Sequence, residues 1–188
     1  MAKLKLLAEF VRNPSQIGTV FPSSVHLAKT ITSGIGLEKA ESVVEIGPGT
    51  APFTPFVIEK IKPSTKYFAV EINETMVKIF KKKYPHLKIY NRNAIHLKKI
   101  VAEENIPGID IIISGIPWAI FPLKLQYRLL KTLNNCLSEG GHFATYAYLQ
   151  GKILPAGTRF KIMLDKLFSE VIISEIVWKN VPPAIVYR

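Results

Sequence analysis

Val43-Val44-Glu45-Ile46-Gly47-Pro48-Gly49-Thr50-Ala51 sets a glycine-rich turn directly after a short run of β-branched residues. Gly47 and Gly49 let the backbone come close to a ligand that any side chain there would hold away. Pro48 lacks an amide proton, and Pro52 stands where a dinucleotide fingerprint carries its last glycine, so the turn suits a pyrophosphate poorly. A carboxylate just before it, Glu45, would repel a phosphate and favour a cationic ligand. The next apolar run ends in Val70-Glu71-Ile72. An acid at the tip of a second strand is placed to accept hydrogen bonds from both hydroxyls of a ribose. The expected ligand is a positively charged nucleoside.

These residues need a sheet to bring them together. Strands are expected at Val43–Ile46, Tyr67–Ile72, Leu87–Asn91, Asp110–Ser114 and His142–Leu149, with helices at Glu74–Lys83 and Pro122–Leu137 between them. Leu125, Leu129, Leu133 and Leu137 recur every four positions, and Leu130 widens that stripe. Such alternation predicts a mostly parallel sheet with helices on both faces. Val171–Trp178 and Ala184–Tyr187 lie too close for a parallel crossover, so they are expected to form an antiparallel hairpin.

Composition bounds the rest. The chain has 188 residues, 48% hydrophobic and 21% charged, with 25 Lys and Arg against 14 Asp and Glu. That describes one globular domain, 1–188, with a net charge of +11, and points to an anionic partner. Cys136 is the only cysteine, which excludes an intramolecular disulfide and a multi-cysteine zinc cluster. It lies on the apolar stripe and reads as packing. His26, His86, His96 and His142 show no ligand spacing, so no metal is expected. Nothing at the start reads as a secretory leader, and the longest apolar run, Ile111–Leu123, is too short and too broken to span a bilayer.

The E-x-G-x-G turn, the downstream acid and the closing hairpin together resemble the S-adenosylmethionine-dependent class I methyltransferases. That resemblance implies a Rossmann-like α/β fold with a mostly parallel seven-stranded sheet ending in an antiparallel hairpin. It makes Glu45, Gly47, Gly49, Thr50, Glu71 and Ile72 candidate cofactor residues. Asn93 and Ala94 follow the third strand, where Asn93 stands in for an acid that accepts the adenine amine. Ser114-Gly115-Ile116-Pro117-Trp118 resembles the motif IV loop beside the transferred methyl group, so these five are candidate catalytic residues, Ser114 serving the cofactor as well.

Two families share this pattern. Ribosomal RNA adenine dimethylases have a similar G-x-x-F segment, here Gly18-Thr19-Val20-Phe21, which adds Gly18, Thr19 and Phe21 to the cofactor set. Their motif IV reads N-[LI]-P-[YFW], but Gly115 occupies its Asn position, and the helical domain that follows their sheet is not expected here. Bacterial phospholipid N-methyltransferases are the nearer likeness. Ile17–Ser24, Val44–Thr50, the S-G-[LI]-P form at Ser114–Pro117 and the closing Val177–Ala184 with Val186-Tyr187-Arg188 all resemble that family. The implied enzyme is cytoplasmic, works at a membrane surface and methylates an aminolipid headgroup such as phosphatidylethanolamine or an ornithine lipid. An RNA adenine methyltransferase or a dimethylase-like nucleic-acid-binding protein is the alternative, and a small-amine methyltransferase a third.

Two further features bear on the acceptor. Lys3–Arg12 reads as an amphipathic helix with Leu4, Leu6, Leu7, Phe10 and Val11 on one face and Lys5, Glu9 and Arg12 opposite, fit to lie in an anionic interface or on the sheet. Tyr146 and Tyr148 fall on one face of the fifth strand, and Tyr146 with Trp118 is a candidate for holding the cationic headgroup through its ring.

Overall fold

The computed structural model describes residues 23–149 and 155–188. Gly18, Thr19, Phe21 and the expected helix at 3–12 lie outside the described residues.

Val25–Ile31 forms α1, capped by the Ser24 hydroxyl, which accepts the Leu27 amide. The sheet follows as β1 (Ser42–Ile46), β2 (Lys66–Glu71), β3 (Lys88–Asn91), β4 (Ile109–Ser114), β5 (Leu137–Tyr148) and β6 (Ala184–Tyr187). Between strands run α2 (Thr54–Ile58), α3 (Glu74–Lys83), α4 (Leu97–Glu103), α5 (Leu123–Asn134) and α6 (Pro155–Leu167). The order β3-β2-β1-β4-β5-β6 is parallel except for β6, which runs antiparallel to β5. All five residues of β1 are buried, as a central strand covered on both faces requires.

Each face has its own core. Val44, Ile46, Phe68, Val70, Ile112 and Ile185 pack beneath Leu97, Ile100, Leu129, Leu130, Leu133 and Leu164, from α4, α5 and α6. On the other face, Val43, Ile111, Ile113, Ala144 and Val186 meet Leu27, Ala28 and Ile31 of α1 and Val57 of α2. Cys136 belongs to the first core as packing.

The described residues form six paired strands rather than seven. The segment from 171 to 178 does run antiparallel to β6, but only as isolated bridges at Ile173–Tyr187 and Val177–Ala184. Ser174 interrupts it, because its hydroxyl accepts the Val186 amide at 2.9 Å and takes the place of a ladder carbonyl. The Leu125–Leu137 stripe also divides. Helix α5 stops at Asn134, and Leu137 already belongs to β5, whose register shifts before His142 beside Gly140 and Gly141.

Candidate active site

Because β1 lies between β2 and β4, the chain leaves the sheet in opposite directions at the β1–β4 boundary, which is where open α/β sheets bind ligands. The register puts Ile46 opposite both Val70 and Ser114, so Gly47, Glu71 and Gly115 emerge at one level. Two amides extend the ladder past the strand ends. The Gly47 N–H donates to the Val70 carbonyl and the Gly115 N–H to the Ile46 carbonyl, each at 2.8 Å.

The turn after β1 is left-handed at Gly47, Gly49 and Ala51, with φ of 66°, 56° and 62°. Glycine takes that region freely, whereas Ala51 is held there against its preference, with its amide donating to the Pro48 carbonyl at 2.8 Å. A Cβ added at Gly49 would meet no heavy atom of the described residues within 4 Å, so among these the turn is open on that side.

Glu71 closes the turn from β2. One carboxylate oxygen accepts the Gly49 amide at 3.2 Å and the other the Asn73 amide at 2.8 Å. Burial pushes its carboxyl above the ordinary range, and these amide bonds oppose that. The Ile72 amide lies against the carboxylate as well, and of its roughly four lone-pair directions the remainder is open to a ligand hydroxyl. Ile72, exposed beside it, offers an apolar surface on which a flat ring can lie. The open turn, the carboxylate and this surface fit a nucleoside with a free ribose diol, the class of ligand to which the expected cofactor belongs.

Other candidates take different places. Glu45 is fully buried beneath the turn, and its Oε2 accepts from the Thr54 hydroxyl at 2.8 Å and the Tyr67 hydroxyl at 2.7 Å. Desolvation raises its carboxyl to about 7, while Oε1 has no hydrogen-bond partner among the described residues. It thus ties β1, β2 and α2 together behind the turn. Asn93 caps the turn at Ala94–His96, its side-chain oxygen accepting the Ile95 amide at 3.0 Å, so the expected adenine acceptor is engaged locally. Ala94 is buried behind it, and Thr50 is exposed at the crest of the glycine turn.

The loop after β4 is built from inside. The Ser114 side chain is fully buried and accepts the Ile116 amide at 3.3 Å, which makes it a brace for the loop rather than a group open to substrate. Gly115 lies against the glycine turn so tightly that a Cβ there would stand 2.4 Å from the Gly47 carbonyl oxygen. Ile116 packs against Gly47 as well. Pro117 leads into the short turn at Trp118–Ile120.

Trp118 does not offer its ring to a headgroup. It is 3% exposed, stacked on Phe160 at 5.2 Å and flanked by Phe143 and Phe121. Its indole N–H donates to the Thr145 hydroxyl, which in turn donates to the Ser114 carbonyl, both at 3.0 Å. Gln126, on the inward face of α5, adds Nε2 bonds to the Trp118 and Phe121 carbonyls at 2.6 and 3.0 Å. A polar residue on an apolar stripe was the one sequence signal for that clamp. Tyr146 does share a face with Tyr148, their rings 5.5 Å apart, and meets Phe53 edge-on at 5.7 Å. Burial and the neighbouring Tyr148 phenol push the Tyr146 hydroxyl well above its ordinary pKa, so at neutral pH it keeps its proton.

The family model of the ribosomal RNA adenine dimethylases matches residues 12–116, more than half of the chain. The chain belongs to this family. An ornithine lipid N-methyltransferase of Singulisphaera acidiphila is 26% identical over 140 residues, covering 73% of each chain. The ribosomal RNA small subunit methyltransferase A of Thermotoga petrophila is 29% identical over 113 residues, 58% of this chain and 40% of that one. The chain therefore spans well under half of that RNA enzyme. Among solved structures, a Bacillus cereus O-methyltransferase in complex with S-adenosylhomocysteine superposes with a TM-score of 0.66 at 10% identity, over 100% of this chain and 90% of the other. Human methyltransferase-like protein 13, also with S-adenosylhomocysteine, gives 0.63 at 17% identity, over 86% and 77%. The fold is that of Rossmann-like methyltransferases, and this family member is an S-adenosylmethionine-dependent methyltransferase.

Proposed function

We propose that the chain methylates the amine headgroup of a membrane lipid, phosphatidylethanolamine or a similar aminolipid. Gly115 carries this reading. With only 2.4 Å between an added Cβ and the Gly47 carbonyl oxygen, the position has no room for the Asn of the N-[LI]-P-[YFW] loop. That amide oxygen would accept hydrogen bonds from the exocyclic amine of adenine, and its loss removes the group suited to a base. The alignment with the ornithine lipid enzyme, balanced over both chains, supports the same reading.

The cofactor supplies an electrophilic methyl group on a sulfonium. Gly47, Gly49, Glu71 and Ile72 would hold it. An ammonium headgroup has no lone pair until it loses a proton, and leaving water for an apolar site lowers its pKa so that the proton passes to solvent before the amine binds. Tyr146, which keeps its own proton, can orient the amine but does not abstract from it. Acting as a peripheral protein on a cytoplasmic membrane face fits the chain, in which no helix among the described residues is long and apolar enough to cross a membrane.

RNA adenine methylation is the second reading, favoured by the family match itself. Incubation with labelled S-adenosylmethionine, aminolipid vesicles and ribosomal RNA separates them. Label is expected in the lipid extract, and label in methyladenine instead would sink the lipid reading.

A further inference from the structure

A turn of uncovered apolar side chains stands at the rim of this site. Thr145 lies opposite Ser114, and β5 continues to Tyr148, about 10 Å beyond that level at the usual strand rise. Ala184 pairs with Tyr148, so the chain between Val177 and Ala184 turns over past the edge where Gly47, Glu71 and Gly115 emerge. Backbone bonds from Val177 N–H to the Ala184 carbonyl at 2.7 Å and from Leu149 N–H to the Pro183 carbonyl at 2.8 Å fasten its base.

Asn180 holds the turn from within. It is 2% exposed; its Oδ1 accepts the Ser24 amide at 2.9 Å and its Nδ2 donates to the Pro182 carbonyl at 2.7 Å. With this polar side chain turned inward, its apolar neighbours are turned out. Trp178 and Val181 are each 67% exposed, and Val25, next to the tethered Ser24, is also exposed. Lys179 lies between them, and the adjoining groove is lined by His26, Lys29, Lys179 and Arg188 against the single side-chain carboxylate of Glu175 among the described residues.

We infer that the Trp178–Val181 turn is a membrane anchor that seats the rim of the site on an anionic bilayer. The chemistry is that of an interface. An indole sits at headgroup depth, a valine reaches the acyl boundary, and lysine can keep its ammonium in the headgroups while its stem lies on lipid. Basic neighbours add attraction to anionic lipid. Val181 has no ring to stack on an unpaired base, so the pair suits acyl chains better than RNA. The anchor's use rests on the lipid reading, but its insertion is measured without any methyl transfer.

The chain has two tryptophans and Trp118 is buried, so emission from the exposed population reports Trp178. Vesicles of phosphatidylethanolamine and phosphatidylglycerol should shift that emission to the blue, and brominated acyl chains should quench it. Trp178→Ser with Val181→Ser should weaken sedimentation with the same vesicles about tenfold, with melting unchanged because both side chains are outside the core. Co-sedimentation without a Trp178 shift or quenching would overturn the anchor, as would a shift produced by ribosomal RNA and not by vesicles. Methylation of aminolipid in detergent micelles, where no bilayer has to be found, should survive the double substitution. If the unaltered protein leaves the lipid unmethylated in micelles, the lipid reading fails while a quenched Trp178 still stands for the anchor.

Discussion

Glu71 holds the glycine turn with the same two oxygens that we propose as the ribose acceptors. Glu71→Ala removes both the Gly49 and Asn73 amide bonds and the acceptors for the ribose. Titration calorimetry should show S-adenosylmethionine binding weakened by roughly 2–3 kcal/mol, the scale of charge-assisted hydrogen bonds. Unchanged affinity in a folded variant would take Glu71 out of the cofactor site. Glu45 makes a prediction about pH. Its carboxyl is raised from 4.5 to about 7, so the folded state holds that proton more tightly than the unfolded chain does. The residue therefore favours folding fully below pH 4.5, and this contribution drains away as pH rises to about 7. Glu45→Gln should flatten that part of the melting-temperature profile and raise stability relative to the unaltered protein above pH 7; parallel profiles would refute it. The glycine turn and Glu71 were legible in sequence because φ-permissive residues and a strand-tip acid are local signals. Glu45's burial was not, since it depends on Tyr67 and Thr54 arriving from two other elements.

The motif IV loop keeps its shape because α5 reaches down to it. Gln126 is buried and donates to two carbonyls, so Gln126→Ala leaves both without their partner and should cost about 1–3 kcal/mol in denaturant unfolding. Hydrogen exchange should quicken first at the Trp118–Ile120 turn, and a loss of protection spread evenly over the sheet would argue against a local clamp. Elements such as β1, β2, β4 and α3 were legible because their patterns are short, buried and bounded by turn residues. Leu137 continued the leucine stripe by spacing alone, although the chain had already left the helix at Asn134. The expected seventh strand failed on one hydroxyl, Ser174, a competition that alternation of apolar residues does not reveal. Trp118 read as a site aromatic because its cover, Phe160, comes from a helix far along the chain.

Charge acts at the scale of the whole molecule. With a net charge of +11, binding to anionic vesicles should fall steeply as salt rises, since each basic residue near such a surface contributes about 1 kcal/mol and the Debye length shortens. Sedimentation at increasing ionic strength measures this, and phosphatidylcholine vesicles should bind weakly throughout. Salt-independent binding would leave insertion alone as the force. The sheet that carries the site lies within residues 42–187, so removing residues 1–12 should leave the melting transition and cofactor affinity intact. Circular dichroism and calorimetry on the shortened chain test that separation.

The contact between Gly115 and the Gly47 carbonyl has an evolutionary consequence. With glycine at 115 the two loops settle together, and a step to any larger side chain there becomes hard to make. Placing Asn at 115 alone would force the Gly47 carbonyl aside before any new substrate could benefit. Such a change therefore needs a prior, silent displacement of the glycine turn, so the order of substitutions decides which side chains position 115 can reach.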